Sequence, residues 1–135
     1  CIVDGVRVVH ADLNEESEIK HAVESISQTA DLDMVLIATG VLHTQDCQPE
    51  KSIRDLSFSQ FHTIFHINTI IPSLCAKYFI PKMRKGARTV FAALSARVGS
   101  ISDNQLGGWY SYRASKAALN MIIKNLAILE QKNNL

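Results

Sequence analysis

No apolar run in these 135 residues approaches the roughly 18 consecutive residues that a membrane-spanning helix needs, and no secretory signal pattern is present. Cysteine is scarce. Cys1, Cys47 and Cys75 are odd in number, and no two are close in sequence. That rules out a CxxC metal or redox motif and argues against a disulfide framework, so a reducing, cytoplasmic setting is expected. An excess of either charge is also missing. The 14 basic and 13 acidic residues leave a formal net charge of +1, which gives no field to steer the chain onto nucleic acid or an anionic membrane. The chain starts abruptly at Cys1 with no initiating Met, and a fragment of a longer protein is expected. What is present is ordinary: 47% hydrophobic and 20% charged residues, sufficient for one domain over 1–135 with a real core.

Val6–His10 is rich in β-formers and leads into Ala11-Asp12-Leu13-Asn14. Asn14 is placed to cap a helix over about residues 15–28, with Glu15, Glu16 and Glu18 at the positive end of its dipole. Ile19, Ala22, Val23 and Ile26 form its apolar stripe. Asp33-Met34-Val35-Leu36-Ile37-Ala38 is a short unbroken apolar run ending near Gly40, the pattern of a strand buried on both faces. His43–Arg54 is polar and is expected to be a surface loop. Residues 57–84 form a long helical pattern capped by Ser57 and kinked or divided at Pro72. Arg88–Ser95 is a second buried strand, and residues 97–109, broken by Gly99, Gly107 and Gly108, are loop. From Trp109 to Gln131 the pattern is helical and apolar almost all round, which fits either a central core helix or a subunit interface. Strand and helix alternate throughout, so the expected class is α/β: part of a doubly wound, Rossmann-like parallel sheet.

The chemistry concentrates late in the chain. Tyr112 and Lys116 are four residues apart at the start of a helix, so their side chains lie on one face. An ammonium close to a phenol favours the phenolate, and a tyrosine tuned in this way is a general acid/base. Tyr110 has Ala114 where Tyr112 has its lysine. A serine hydroxyl at the preceding strand end completes a site for carbonyl reduction or alcohol oxidation, given a hydride donor. His62 and His66 are also four apart, but no HExxH pattern or third ligand accompanies them, so no metal site is expected.

Leu94-Ser95-Ala96-Arg97-Val98-Gly99-Ser100 followed by Gly107-Gly108-Trp109-Tyr110-Ser111-Tyr112-Arg113-Ala114-Ser115-Lys116-Ala117-Ala118-Leu119-Asn120 resembles the short-chain dehydrogenase/reductase family, whose signature is Tyr-x-x-x-Lys with an upstream serine. The wording is most similar to the bacterial C-factor-like branch, the cell–cell signalling reductases. The resemblance spans about Val6 to Glu130. It implies Tyr112 as acid/base, Lys116 as its activator and a contact of the nicotinamide ribose, and Asn68 as support for a proton relay. It also implies Asp12, with Leu13, beside the adenine ring, and Ala38, Thr39 and Gly40 along the cofactor. Ala38 stands where the family usually has asparagine. The family's serine stands three residues before a glycine, which here is Ala96; Ser95 is the first candidate for its role and Ser100 the second.

The resemblance further implies NAD(P) as cofactor and hydride transfer to or from a carbonyl or secondary alcohol. It implies a homodimer or homotetramer formed through helices 57–84 and 110–131. No G-x-G-x-x-G or looser triple-glycine turn occurs, so nothing here would cradle the cofactor's phosphates, and the family's later substrate-covering segment is absent too. The chain by itself is therefore expected to be inactive. The alternative is a non-catalytic binding or signalling relative that keeps the fold.

Overall fold

A computed structural model of the chain describes residues 2–3, 5–29, 31–44 and 48–133. Cys1 and Cys47 lie outside them. The chain divides into two compact units, Cys1–Leu36 with Leu74–Ala92 and Ile37–Ser73 with Ala93–Leu135. No helix among the described residues is long and apolar enough to cross a membrane.

The first unit opens with a hairpin. β1 (Ile2–Val3) pairs antiparallel with β2 (Val6–Arg7) around Gly5, whose φ of 82° reverses the chain. The β-rich stretch at 6–10 thus pairs locally instead of joining the parallel sheet, because closing so short a loop costs little entropy. α1 (Glu16–Ser27) follows, with Ile19 and Val23 fully buried on the expected stripe. Asn14 does not cap it. Its amide and its side-chain nitrogen both turn back to Asp12 Oδ1, at 2.9 and 2.7 Å, a local Asx turn that competes with capping. Glu15 holds the cap position with no side-chain hydrogen bond. Lys77 and Tyr78 both reach the Glu16 carboxylate at 2.7 Å, which holds that carboxyl below its ordinary range.

β3 (Met34–Ile37) and β4 (Val90–Ala93) form the parallel pair. Val90 N donates to Asp33 O at 3.0 Å and Leu94 N to Ile37 O at 2.9 Å, and the equal offset of the two bonds fixes the direction. The expectation of burial on both faces fails. Val35 and Ile37 are 7% and 8% exposed, whereas Met34 and Leu36 are 62% and 52% exposed. Only one face is covered among the described residues, so a continuous apolar run shows an alternating burial pattern.

In the second unit the expected surface loop at 43–54 contains a 3₁₀ turn, Ile53–Asp55, and a fully buried Glu50. Ser57 caps α2 (Phe58–Phe65) by accepting the Gln60 amide at 3.2 Å. A π-helical turn, His66–Ile70, follows, closed by Ile71 N on His66 O, and α3 (Ile71–Phe79) then runs on to a 3₁₀ turn at Ile80–Lys82. Pro72 therefore acts one turn ahead of itself: it cannot donate to the Asn68 carbonyl, and the widened turn absorbs the mismatch. α4 (Tyr110–Asn133) buries Ser111, Ser115, Lys116 and Leu119 along one side, while Met121, Ile128 and Leu129 are exposed. It is not buried all round.

The contrast across the first unit gives a test. Ile19→Ala should lower the unfolding free energy by about 2–5 kcal/mol, and Met34→Ala should change it by no more than about 0.5 kcal/mol, both read from urea denaturation of this chain.

Candidate active site

The site is built where β4 ends and α4 begins, within the second unit. Lys116 is a charged residue only 3% exposed. Its ammonium donates to the Leu94 carbonyl at 2.9 Å and lies 5.8 Å from the centre of the Tyr112 ring. Burial pushes its pKa below the ordinary lysine value. Helical spacing puts the phenol and the ammonium on one face, and the Leu94 carbonyl then fixes the longer of the two side chains.

Two glycines shape the surroundings of Lys116. A Cβ at Gly99 would meet Lys116 Cβ at 2.8 Å and the Lys116 carbonyl carbon at 2.9 Å, so the turn Arg97–Gly99 touches α4 with bare backbone. A Cβ at Gly40 would come within 3.2 Å of Lys116 Nζ and 3.4 Å of Asn68 Oδ1. Gly40, Lys116 and Asn68 thus converge from three well-separated segments.

Asn68, buried in the π-helical turn, binds Val41 as a neighbouring strand would. It accepts the Val41 amide and donates to the Val41 carbonyl, both at 2.8 Å, and donates to Ser115 Oγ at 3.2 Å. Ser115 in turn donates to the Tyr112 carbonyl at 2.8 Å, and Thr69 Oγ1 donates to the Ser115 carbonyl at 2.9 Å. These bonds tie the helix carrying Asn68 to the helix carrying Tyr112.

The serines are placed differently. Ser95 donates to Asn120 Oδ1 at 2.6 Å, two helical turns beyond Tyr112, and is exposed. Ser100 accepts the Asp103 amide at 3.3 Å inside its own turn. Neither forms a hydrogen bond to Tyr112. Ala38 and Gly40 are exposed, and the Thr39 hydroxyl is buried with no partner among the described residues. Asp12 and Leu13 belong to the first unit, Asp12 exposed and Leu13 half-buried. His62 and His66 stack ring on ring at 6.1 Å, and no metal-binding group of three occurs among the described residues.

Sequence reasoning missed Ser115, Thr69, Asn120 and Glu50. Ser115 lies inside the Tyr-x-x-x-Lys motif and was within reach of a helical-face argument. Glu50 sits in a polar stretch with no periodicity and gave no local signal.

Residues 3–134 match the family model described as Enoyl-(Acyl carrier protein) reductase. The chain belongs to the short-chain dehydrogenase/reductase family. It is 34% identical over 76 residues to C-signal of Myxococcus xanthus, covering 56% of this chain and 46% of that protein. It is 29% identical over 131 residues to the 1-hydroxy-2-glutathionyl-2-methyl-3-butene dehydrogenase of Rhodococcus sp. (strain AD45), covering 90% of this chain and 54% of the relative. Its fold is similar to the crystal structure of NADPH-bound carbonyl reductase from chicken fatty liver, with TM-score 0.78 and 25% identity over 92% of this chain and 52% of the other. The chain thus spans about half the length of the relatives it matches.

Two outcomes follow from the packing of Lys116. Gly99→Ala forces α4 away and should cost about 1–3 kcal/mol in denaturant titrations, whereas Gly40→Ala meets only side-chain atoms, Lys116 Nζ at 3.2 Å and Asn68 Oδ1 at 3.4 Å, and should cost less than Gly99→Ala. The second concerns pH. The folded-state pKa of Lys116 is lowered, so between that value and an unfolded value of about 10.4 the unfolded chain binds more protons, and stability rises with pH across this window. Subtracting the pH–stability curve of Lys116→Met from that of the parent chain should isolate the rise; a flat difference would contradict it.

Proposed function

We propose that this chain carries the catalytic half of an oxidoreductase that moves a hydride between NAD(P)H and a carbonyl or secondary alcohol. The observation that carries this reading is the buried Lys116 ammonium, fixed on the Leu94 carbonyl beside the Tyr112 ring. Charged groups are buried only at a cost, and this one lies 5.8 Å from the centre of the Tyr112 ring, close enough for its charge to favour the phenolate.

The residues fit the nicotinamide side of such a cofactor. Lys116 uses one N–H on Leu94 and has three to offer. The Tyr112 hydroxyl has no hydrogen-bond partner among the described residues, Thr39 Oγ1 is a buried hydroxyl without one, and Gly40 leaves backbone bare next to Lys116. Lys116 and Tyr112 would hold the ribose, Ala38, Thr39 and Gly40 would line the cofactor, and Asp12 with Leu13 would take the adenine. NAD(P)H, when bound, supplies the hydride that adds to the carbonyl carbon.

Tyr112 gives its hydroxyl proton to the carbonyl oxygen in reduction and takes it back in oxidation. The positive charge of Lys116 stabilises the phenolate left behind. Ser95 orients the substrate oxygen, turning its hydroxyl from Asn120 to do so, with Ser100 as the second candidate. Asn68 supports the relay that returns a proton toward Lys116, its main-chain carbonyl being one that Pro72 cannot occupy.

The same proposal places the chain within one cofactor-binding domain of a cytoplasmic protein that acts on a small molecule. It pairs helices 57–84 and 110–131 across subunits of a homodimer or homotetramer, for which the exposed Met121, Ile128 and Leu129 supply apolar surface. In the complete protein, Tyr112→Phe should lower the rate of NADPH-dependent reduction of 9,10-phenanthrenequinone by about 10²-fold or more. NADPH binding, followed by fluorescence, should change little. Unaltered turnover in this variant would refute the mechanism.

A further inference from the structure

Three consecutive residues before α4 have positive φ: Gly107 at 63°, Gly108 at 64° and Trp109 at 50°. Glycine adopts this region freely, but a bulky residue such as tryptophan does not, and it stays there only where its surroundings over-determine it. One residue supplies much of that restraint. The Glu50 carbonyl accepts the Trp109 amide at 2.6 Å, and Glu50 Oε1 accepts the Ser111 amide at 3.2 Å. Both amides belong to the helix entry, where no intrahelical partner exists. Arg113 closes the other side, its backbone N–H donating to the Trp109 carbonyl at 2.8 Å and its Nε to the Gly108 carbonyl at 3.1 Å. The Trp109 ring meets the Tyr112 ring edge-on at 6.4 Å.

Glu50 is 1% exposed and its second carboxylate oxygen has no partner among the described residues. A side chain that costly to bury is a poor choice for a simple cap, which a serine or asparagine at the helix entry performs more cheaply. Its carboxylate holds Ser111 while the main-chain carbonyl of the same residue holds Trp109, so the two contacts bracket Tyr110 and lead directly into Tyr112.

We propose that Glu50 is a positioning residue for Tyr112: by holding the left-handed turn 107–109 against the first turn of α4, it sets the orientation of the phenol. The proposal rests on the reading that Tyr112 transfers the proton. Trp109 is the single tryptophan of the chain, so its emission reports on this turn directly. Glu50→Ala should raise acrylamide quenching of Trp109 about twofold by loosening the turn locally. Glu50→Gln, which keeps an acceptor for the Ser111 amide, should quench like the parent chain.

In the complete protein reducing 9,10-phenanthrenequinone, Glu50→Ala should lower kcat by about tenfold to a hundredfold with KM for NADPH little changed, and Glu50→Gln should restore most of the loss. Glu50→Ala keeps the main-chain bond to Trp109 and removes only the carboxylate, so unchanged quenching in it would show that the side chain does not hold the turn and would overturn the proposal, whatever the activity. Full kcat in Glu50→Ala together with a dead Tyr112→Phe would overturn the positioning role and leave the catalytic reading standing. Full activity in Tyr112→Phe would instead remove the catalytic reading while the quenching still reports on the clamp.

Discussion

The interaction on which the site depends is the bond from the Lys116 ammonium to the Leu94 carbonyl, made by a lysine with almost no access to water. Burying an ammonium is unfavourable unless its donors are used, and the carbonyl at the end of β4 uses one of them. That single contact ties the end of β4 to α4. It also dictates what can stand nearby. Gly99 has no side chain because Lys116 fills that space, and Gly40 has none where the ammonium and Asn68 meet. The phenol of Tyr112 lies one helical turn back from the lysine and shares its face.

A second set of bonds ties the two site-bearing helices together. The turn containing Asn68 is wider than an α-helical turn, closed by Ile71 on His66, just ahead of Pro72. Through its side chain Asn68 holds both backbone groups of Val41, next to Gly40, and also reaches Ser115 on the helix of Tyr112. Thr69, its neighbour, makes a further bond to the Ser115 carbonyl. A helix irregularity demanded by proline thus places one amide where it braces the loop after β3 and touches the helix that carries Tyr112 and Lys116.

How much of this was legible in the sequence follows from the range of each interaction. Tyr112 and Lys116 were legible because helical spacing is a local rule, and the buried stripe of α1 was legible for the same reason. Ser57 was found as a cap by its position before an apolar pattern. Asn14 failed as one because Asp12, two residues back, offered it a nearer partner. The apolar run at 34–37 was recognised as a strand, but its exposure was not, because a hydrophobic residue does not reveal whether anything covers it. The antiparallel pairing of Val6–Arg7 was missed because the β-propensity of that stretch says nothing about which strand it will join. Glu50 was out of reach altogether: its role comes from contacts with residues 109 and 111, about sixty positions along the chain, and a carboxylate in a polar segment looks like any other surface residue.

The central claim is that Lys116 is a buried ammonium around which the other groups are arranged. It is tested most directly by following the Lys116 Cε resonance through a pH titration of this chain, assigned by comparison with Lys116→Met. The account predicts a midpoint below the ordinary lysine value of about 10.4. A midpoint at or above that value would place the side chain in water and contradict the account.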